Sequence, residues 1–522
     1  MKKNLKLLIG PICLIIAIII IGKLYKDGGF SLSKQKEYGV SSSNPIAVKV
    51  GMDVLNNGGN AVDASVAIAY VLGVVEPYAS GIGGGGGMMV YSPKDNTSKF
   101  YDYREYAPIS NDNKVSNIGV PGFVKGMEYV HNAYGKIEMK NLLEPSINYS
   151  KEGFTVDDYS YNRFDFAKKK LKKTKLPQFF DNGEPKEIGS LIVQEELANT
   201  LMEIQKHGAD AFYSGKISKN ITDYMKWDKN DLKEYSVLEH EPVKSKFNDY
   251  EIISAPPPFS GATLIQILKL ADFLDIKKYE NDELEYIKIM SKIVNAAYKD
   301  RINNIGDLNY NNINYQNIVD DEYVKKMINS NELYGDYEKE HESTTHFVVA
   351  DKDGMIVSCT NTLGDFFGSG DYLNGFFLNN ALFNFDCDSK NSINSYKPGK
   401  RSRTFMSPTI IKNNDFVMGI GSPGGNKIPQ AMAQVIIKNL IFKHKLENSI
   451  DDNRIVFEDL YKITTEEELK KEEEEILQSE GYEIKTNESK LYFGSIQAMG
   501  NDYKNGVFGG ADYRRHGKWD AK

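Results

Sequence analysis

The sequence predicts a globular domain of mixed α and β structure. The chain has 522 residues, of which 41% are hydrophobic, so it contains enough apolar material for a large core. Asn60 is expected to cap an amphipathic helix over residues 61–75. Short buried strands are expected over 345–350 and 355–362, joined by an Asp-Lys-Asp-Gly turn whose glycine supplies a positive φ.

The N-terminal segment has the pattern of a signal sequence. Three lysines precede an apolar stretch over residues 7–22, two lysines follow it, and no small-x-small cleavage motif comes after them. The stretch is short for a spanning helix of roughly 20 residues, but an uncleaved anchor is favoured over a removed peptide. We expect residues 1–26 to be a signal anchor in the cytoplasmic membrane and 27–38 to be a linker. The remainder then faces outward at the cell surface, or is secreted if the segment is cleaved.

Charge and cysteine content exclude several classes of function. The net charge of −8 is spread over 64 basic and 72 acidic residues, which leaves no general basic field for nucleic acid. Three cysteines are too few for a disulfide framework. We therefore predict no nucleic-acid partner, and we see no metal site and no cofactor motif.

Three local patterns resemble binding motifs but lack the required context. Residues 81–86 satisfy G-x-G-x-x-G, yet a helix precedes them and a strand over 88–91 follows, the reverse of a dinucleotide site. We interpret these glycines as allowing close approach of the backbone. His341, Glu342 and His346 miss the zinc-protease spacing by one residue. Residues 466–475 are expected to form a solvated helix face with paired charges.

The pair Ser343–Thr344 is the candidate for chemistry. If the bond between them breaks, Thr344 becomes an N-terminus that carries a nucleophilic hydroxyl and its own base, an α-amine with a reference pKa of about 7.7 to 8.0. Residues 334–342, just before it, are polar, as a self-cleavage site should be. Without further observations, the alternative is an ordinary strand threonine, because threonine is common in strands.

Further blocks accompany this pair along the chain: GGNAVDA at 58–64, DYRE at 102–105, KR at 400–401, SPT at 407–409 and GSPGG at 421–425. In this order they resemble γ-glutamyltranspeptidases, N-terminal nucleophile enzymes that cut themselves before this threonine. The strings at 79–88, 255–261, 375–380 and 400–406 resemble more closely the branch of capsule depolymerases and capsule-anchoring transpeptidases that act on poly-γ-glutamate.

The resemblance implies a four-layer αββα sandwich, with two mostly antiparallel sheets covered by helices. It also implies a large subunit over 39–343 and a small subunit over 344–522. Strands from both would share one core, so that self-cleavage leaves a heterodimer.

The resemblance also assigns catalytic roles. Thr344 matches the nucleophile, and Thr362 matches the threonine whose hydroxyl orients it. The backbone N–H groups of Gly424 and Gly425 match the oxyanion donors. Considered alone, the glycine pair is as readily an ordinary Pro-Gly-Gly turn.

Substrate contacts follow in the same way. Arg104 matches the arginine that pairs with the glutamyl α-carboxylate, a role suited to its planar fork of donors, and Arg515 is expected to add a further contact. Asn384 stands where conventional enzymes have the aspartate that binds the substrate ammonium. Thr404 replaces the first of two serines that hold the carboxylate, and Arg403 precedes it as a possible carboxylate ligand.

Other departures concern positions next to these. Phe405 replaces the second serine, Gly364 stands where conventional enzymes have asparagine, and Ala381 stands where glutamine is usual. An internal unit of poly-γ-glutamate has no free ammonium, so the loss of the aspartate favours the polymer over glutathione. The changes at Gly364 and Ala381 could affect affinity, acceptor choice or both.

Three functions are consistent with the sequence. The first is a self-cleaving surface enzyme that attacks poly-γ-glutamate through a γ-glutamyl-threonine ester, then passes the glutamyl group to water or to an amine such as cell-wall peptidoglycan. The second is a conventional γ-glutamyltransferase that acts on glutathione-like γ-glutamyl peptides. The third is a non-catalytic, polymer-binding surface protein. Asn384 and Phe405 favour the first function over the second, and the intact Ser343–Thr344 pair argues against the third.

Overall fold

Two antiparallel sheets lie at the centre of the structure. The computed structural model describes residues 35–111, 116–171, 176–328, 343–386 and 391–522. The predicted anchor over 1–26, most of the predicted linker and the polar segment 334–342 lie outside the described residues. Among the helices of the described residues, none is long and apolar enough to cross a membrane.

The strands are β1 Gly39–Ser42, β2 Gly85–Ser92, β3 Thr97–Asp102, β4 Phe154–Thr155, β5 Phe180–Asp181, β6 Glu184–Pro185, β7 Leu191–Ile192, β8 Leu238–His240, β9 Val243–Phe247, β10 Tyr250–Ser254, β11 Ser343–Ala350, β12 Ile356–Gly364, β13 Tyr372–Leu373, β14 Phe376–Phe377, β15 Thr409–Lys412, β16 Phe416–Gly421, β17 Ile455–Asp459, β18 Lys462–Thr465, β19 Glu483–Thr486, β20 Gln497–Asp502, β21 Gly506–Ala511 and β22 Lys518–Ala521. The helices are α1 Pro45–Asn56, α2 Ala61–Val75, α3 Phe123–Tyr134, α4 Met139–Glu152, α5 Asp158–Ala167, α6 Glu195–His207, α7 Asp210–Tyr213, α8 Lys216–Met225, α9 Lys229–Lys233, α10 Gly261–Phe273, α11 Glu283–Asn304, α12 Asp321–Met327, α13 Ile428–Leu440, α14 Leu446–Asp451 and α15 Lys471–Ser479.

The first sheet has seven strands in the order β22-β1-β11-β12-β2-β3-β8, and the second has six in the order β21-β20-β16-β15-β10-β9. All neighbouring pairs in both sheets are antiparallel. The predicted hairpin is confirmed as β11 and β12, with Gly354 at φ 85° in the turn between them. The hairpin occupies the middle of the first sheet, so residues at its open end have rigid neighbours on both sides.

Alternating side chains of the hairpin supply two separate apolar layers. Phe347 and Val349 pack with α1 and α2 on the outer face of the first sheet. Val348 and Ala350 pack against the second sheet, whose far face is covered by α10 and α13. This alternation follows from the period of two along a strand. The resulting order of layers is helix, sheet, sheet and helix.

Helix α2 is confirmed with its predicted bounds and cap. The side chain of Asn60 accepts from the Asp63 amide at 2.9 Å, and the Asp63 carboxylate accepts from the Asn60 amide at 2.9 Å. The expectation that it is amphipathic is wrong, because every residue except Gly73 is buried. The helix lies between the first sheet and the helices α1, α3 and α4, so it has no solvent face.

The predicted charged helix face over 466–475 is only partly correct. Helix α15 begins at Lys471, and Lys471 pairs with Glu475 at 3.8 Å as expected. Glu466, however, is 8% exposed and lies outside the helix. Its carboxylate accepts from Nε of Arg514 at 2.8 Å, so this residue belongs to a buried ion pair.

Candidate active site

The open end of the β11–β12 hairpin holds Thr344 against Thr362. Strand pairing joins Ser343 to Gly364 and Thr345 to Asn361, with a shift in register between them, so Thr344 lies at an irregularity in the ladder. The Oγ1 atoms of Thr344 and Thr362 each donate to the carbonyl oxygen of Ser343 at 2.7 Å. The carbonyl that must be attacked in a self-cleavage is therefore held by two hydroxyl donors.

The Thr362 hydroxyl is itself oriented by its neighbours. It accepts from the amide of Gly364 at 2.9 Å and lies 3.3 Å from the Thr344 hydroxyl. Thr344 and Thr362 are both buried, and burial strengthens such hydrogen bonds. The geometry is therefore suited to stabilising negative charge on the Ser343 oxygen.

A turn over residues 76–80 braces this end of the hairpin. Ser343 Oγ donates to the carbonyl of Tyr78 at 2.6 Å, and the amide of Leu363 donates to the carbonyl of Ala79 at 3.0 Å. Thr345 Oγ1 donates to Ser80 Oγ at 3.0 Å. No sequence pattern predicted this turn, although its residues directly precede the glycine run.

Thr344 opens onto a narrow cleft with an empty volume of about 300 Å³. The cleft is lined by Arg104, Thr344, Thr362, Gly364, Ala381, Asn384, Thr404, Met406, Gly425 and Ile428. None of these described residues carries a carboxylate or an imidazole. Among the residues that the structure describes, the only charged group lining the cleft is thus a cation, Arg104, so the cleft favours an anionic ligand.

Arg104 is buried and has a donor to spare. Its Nε lies 3.3 Å from the Glu105 carboxylate, and its Nη2 donates to Ser402 Oγ at 3.3 Å. Its Nη1 has no hydrogen-bond partner within the described part of the chain. Burial raises the pKa of Glu105. A buried guanidinium with a free N–H can donate a hydrogen bond to a carboxylate in the cleft.

Arg403 does not line the cleft with Arg104. Its Nη1 donates to the carbonyl of Ile302 at 2.8 Å, and its Nη2 lies 3.3 Å from the Asp386 carboxylate. Thr404 and Met406 line the cleft, whereas the alternate residue Phe405 packs its ring over the guanidinium of Arg301, 3.4 Å from the ring centroid. Alternation along an extended segment explains this division, and the structure places the Arg403 guanidinium at the end of α11.

Arg515 also lies elsewhere. Its Nη2 donates to the carbonyl of Leu491 at 3.2 Å, and it interacts electrostatically with Glu76. It is not among the residues that line the cleft. The substrate role was expected because Arg514 and Arg515 resemble a basic pair of the family, but the structure directs Arg515 toward the turn that precedes the glycine run.

The three departures Asn384, Gly364 and Ala381 all lie at the cleft. Asn384 ends a 3₁₀ turn over Ala381–Asn384 and is half-buried. Gly364 has φ 93°, and an added Cβ would lie 2.2 Å from Oδ1 of Asn380. A side chain at 364 would therefore displace Asn380, whose Oδ1 accepts from the amide of Asp365 at 2.8 Å.

Gly424 and Gly425 form the turn before α13, with φ values of 133° and 57°. Gly425 lines the cleft and Gly424 does not. Neither amide donates a hydrogen bond to another described residue. Two free N–H groups in a turn of positive φ can bind an anion, and only that of Gly425 belongs to the cleft wall.

The glycine run allows β2 to approach β12 closely, as predicted. A Cβ on Gly84 would lie 2.1 Å from the carbonyl of Thr362, and a Cβ on Gly85 would lie 3.1 Å from Cα of Arg104. Thr362 pairs with Gly85 in the sheet. The run therefore brings Thr362 and Arg104 to the same cleft.

His346 lies behind the cleft and is held by the sheet. Its Nδ1 is 2.8 Å from the hydroxyl of Thr360, and burial lowers its pKa to about 3, so the imidazole is neutral. Within the described residues there is no cluster of three potential metal ligands.

The chain is similar to proteins of known family along nearly its whole length. Residues 47–521 match the family model described as gamma-glutamyltranspeptidase. The chain belongs to the γ-glutamyltranspeptidase family. The CapD proenzyme of Bacillus anthracis, a capsule biosynthesis protein, is 47% identical over 496 residues, which cover 94% of this chain and 92% of that protein.

Two further proteins are similar to this chain, one in sequence and one in fold. The glutathione hydrolase proenzyme of Bacillus subtilis (strain 168) is 32% identical over 534 residues, which cover 92% of this chain and 90% of that protein. Cephalosporin acylase from Bacillus halodurans has a similar fold, with a TM-score of 0.84 at 24% identity, covering 93% of this chain and 96% of that one. This member of the γ-glutamyltranspeptidase family is a γ-glutamyltransferase or γ-glutamyl hydrolase.

Proposed function

We propose that this enzyme cleaves itself between Ser343 and Thr344 and then uses Thr344 to attack γ-glutamyl amide bonds of poly-γ-glutamate. The observation that carries the proposal is the Ser343 carbonyl oxygen, which accepts from the hydroxyls of Thr344 and Thr362 at 2.7 Å each. The glutamyl group then passes to water or to an amine such as that of cell-wall peptidoglycan.

In the first step, Thr344 Oγ1 attacks the carbonyl carbon of Ser343. The C–N bond to Thr344 breaks, its nitrogen takes the hydroxyl proton, and an ester joins Ser343 to Thr344. The Thr362 hydroxyl stabilises the charge on the oxygen during this step. Water then hydrolyses the ester, which leaves a carboxylate on Ser343 and a free amine on Thr344.

In the second step, the new amine takes over as base. The precursor amide nitrogen is not basic, and no described residue of the cleft wall carries a carboxylate or imidazole. Cleavage therefore creates the base that the nucleophile needs. Thr344 attacks the γ-carbonyl of a glutamyl unit, the amide nitrogen leaves with a proton, and a γ-glutamyl ester forms. The amide of Gly425 is placed to bind the oxyanion.

The polymer is favoured as donor by the charge of the cleft. The free Nη1 of Arg104 can bind the α-carboxylate of the unit under attack. Asn384 offers an amide instead of a carboxylate, so a substrate ammonium would find no anionic partner among the described residues of the cleft wall. An internal polymer unit has a carboxylate but no ammonium. The name of the 47% identical capsule protein supports the same substrate.

A conventional γ-glutamyltransferase remains the second candidate. The 32% identical glutathione hydrolase proenzyme of Bacillus subtilis supports it. Asn384 can still accept a hydrogen bond from an ammonium, though more weakly than a carboxylate can. The two candidates differ in whether the donor has a free α-amine.

The remaining expectations concern assembly and location. We propose that the fragments 39–343 and 344–522 stay together as a heterodimer, since strands of both are hydrogen-bonded neighbours within the first sheet. We also propose that residues 1–26 anchor the enzyme on the outer face of the bacterial cytoplasmic membrane.

One experiment tests the proposal. The full-length chain is produced with Thr344→Ala as the control, and the products are separated by denaturing electrophoresis with N-terminal sequencing. Both preparations receive purified poly-γ-glutamate, a γ-glutamyl anilide, and an anilide whose α-amine is acetylated. Fragments that begin at Thr344, shortening of the polymer and turnover of the acetylated donor are expected for the wild type only.

The other outcomes are informative as well. Cleavage at Thr344 with turnover of the free-amine anilide alone would favour the conventional transferase. A wild-type chain that stays whole and inert would overturn the enzymatic proposal at this site.

A further inference from the structure

Glu76 is a buried carboxyl group that the proposed chemistry does not use. It follows α2 and begins the turn over residues 76–80 that braces the hairpin. Its side chain is 3% exposed, and burial raises its pKa to about 7. Burial of an ionisable group costs stability, so its presence beside the cleavage site calls for a function.

The backbone of this turn contacts the hairpin on both sides of the two threonines. The carbonyl of Tyr78 accepts from Ser343 Oγ at 2.6 Å and from the amide of Phe367 at 2.9 Å. The carbonyl of Ala79 accepts from the amide of Leu363 at 3.0 Å. Movement of the turn would therefore shift the residues that flank Thr344 and Thr362.

Glu76 ties the turn to the start of α1. Its carboxylate accepts from Ser43 Oγ at 3.2 and 3.3 Å, and the side chain of Asn44 also favours its charged form. Its carbonyl accepts from the amides of Ala79 and Ser80 at 2.9 and 3.4 Å. One residue thus holds both the shape of the turn and its position relative to β1 and α1.

The charged groups that face Glu76 come from distant parts of the chain. Among the described residues, Arg515 attracts the carboxylate, and Asp157 repels it. The phenol of Tyr78 also interacts with it, as does that of Tyr159. Arg515, which is not in the substrate cleft, therefore has an electrostatic partner at the turn.

We propose that the ionised carboxylate of Glu76 is a positioning group for self-cleavage, acting through the turn over 76–80 on the Ser343 carbonyl. The proposal rests on the proposed self-cleavage. Arg515 and Ser43 favour the ionised form. Protonation weakens both attractions, loosens the turn and misaligns the carbonyl with the hydroxyls of Thr344 and Thr362.

The test follows the rate of self-cleavage as a function of pH. The full-length chain is made by cell-free translation, transferred to buffers between about pH 5.5 and 8.5, and sampled for fragments that begin at Thr344. For the wild type, the rate constant should rise with a midpoint near pH 7. Glu76→Gln should cleave about tenfold to a hundredfold more slowly and should lack that midpoint.

Two further variants keep the test decisive. Ser43→Ala leaves the carboxyl group in place but removes a donor to its charged form, so its midpoint should move to higher pH. Glu283→Gln is the control for the loss of a carboxyl group elsewhere on the surface. Its side chain is 48% exposed, burial also raises its pKa, and no hydrogen bond joins it to the turn within the described residues. Its profile should equal that of the wild type.

The outcomes separate this inference from the function on which it rests. A wild type that cleaves at Thr344, with Glu76→Gln and Ser43→Ala showing the same rates and midpoint, would overturn the positioning role alone. A wild type that never cleaves would overturn the proposed function. If Glu76→Gln does not fold, as judged by circular dichroism, the midpoint of Ser43→Ala decides.

Discussion

Arg104 and Arg403 are both 1% exposed, yet their surroundings differ. Arg104 lies at the cleft with an Nη1 that has no partner among the described residues, while Arg403 donates to carbonyl groups at the end of α11 and to Asp386. Burial alone therefore does not identify a substrate ligand. What distinguishes the two arginines is their position: Arg104 lines the cleft and Arg403 does not. A ligand in the cleft can supply the partner that a buried donor such as Nη1 of Arg104 needs.

The largest effect is expected from a change beside the nucleophile Thr344. This effect should be independent of both arginines. Thr362→Val removes one of the two donors to the Ser343 carbonyl and preserves the shape of the side chain. Self-cleavage should slow by about 100-fold or more, measured by electrophoresis after cell-free synthesis.

Thr360→Val is the control for this change, because Thr360 lies on the same strand and contacts His346 instead. Equal slowing in both variants would show that the strand, and not the Thr362 hydroxyl, is responsible.

Arg104→Gln should have the next largest effect. It removes the only cation that lines the cleft among the described residues, so kcat/KM for γ-glutamyl donors should fall by about 100-fold, mainly through KM. Self-cleavage should continue, because Ser343 and Thr344 do not bond to Arg104. Arg104→Lys keeps the charge without the planar fork and should recover part of the loss. An unchanged KM would remove Arg104 from the substrate site.

Arg403→Gln should affect stability instead. The carbonyl groups at the end of α11 and Asp386 would lose a charged donor, and we expect a loss of about 2–4 kcal/mol in the free energy of unfolding. Denaturant titration of the Thr344→Ala precursor measures it without interference from cleavage. The folded enzyme should retain its KM. A raised KM with unchanged stability would instead restore the substrate role that the sequence suggested for Arg403.

Glu76→Gln should have the smallest effect on stability, and one that depends on pH. The folded pKa of about 7 lies above the ordinary value of 4.5, so this group favours folding most at low pH, and the contribution is lost as pH rises from about 4.5 through 7. Glutamine does not ionise. The variant should therefore unfold at a higher temperature than the precursor at pH 8 and at a similar temperature at pH 4.

The control for this change is again Glu283→Gln, measured in the same uncleaved background. A Glu76→Gln chain that is less stable than its parent at pH 8 would mean that the hydrogen bonds of the carboxylate outweigh its burial.

The sequence predicted much of the site because its signals are local. The hairpin at 345–362 follows from strand periodicity and a glycine turn. The role of the glycine run in close backbone approach follows from the helix before it and the strand after it. Family resemblance placed Thr344, Thr362, Arg104, Asn384 and Gly425 correctly at one cleft, although their roles remain predictions. It also directed attention to Gly364 and Ala381, which line that cleft.

The remaining features depend on distant packing. Whether Thr404 or Arg403 faces the cleft depends on which alternate side chains of an extended, irregular segment point into it. No local sequence pattern determines that choice. Arg515 and Glu76 are far apart in the chain, and their proximity results from the docking of the C-terminal residues near the start of α1. The burial of α2 on all sides likewise requires knowledge of three other helices.

The strand β1 has consequences for the timing of biosynthesis. Both of its neighbours are made late: β11 pairs with it at Phe347–Ala350, and β22 supplies Lys518–Ala521. Since β1 itself ends at Ser42, it waits for residues 347–350 on one side and for residues 518–521 on the other, and such long separations slow folding. A ribosome that stops early leaves β1 without its partners. The edge strand β22 can therefore join the sheet that carries Thr344 only after residues 518–521 have been made.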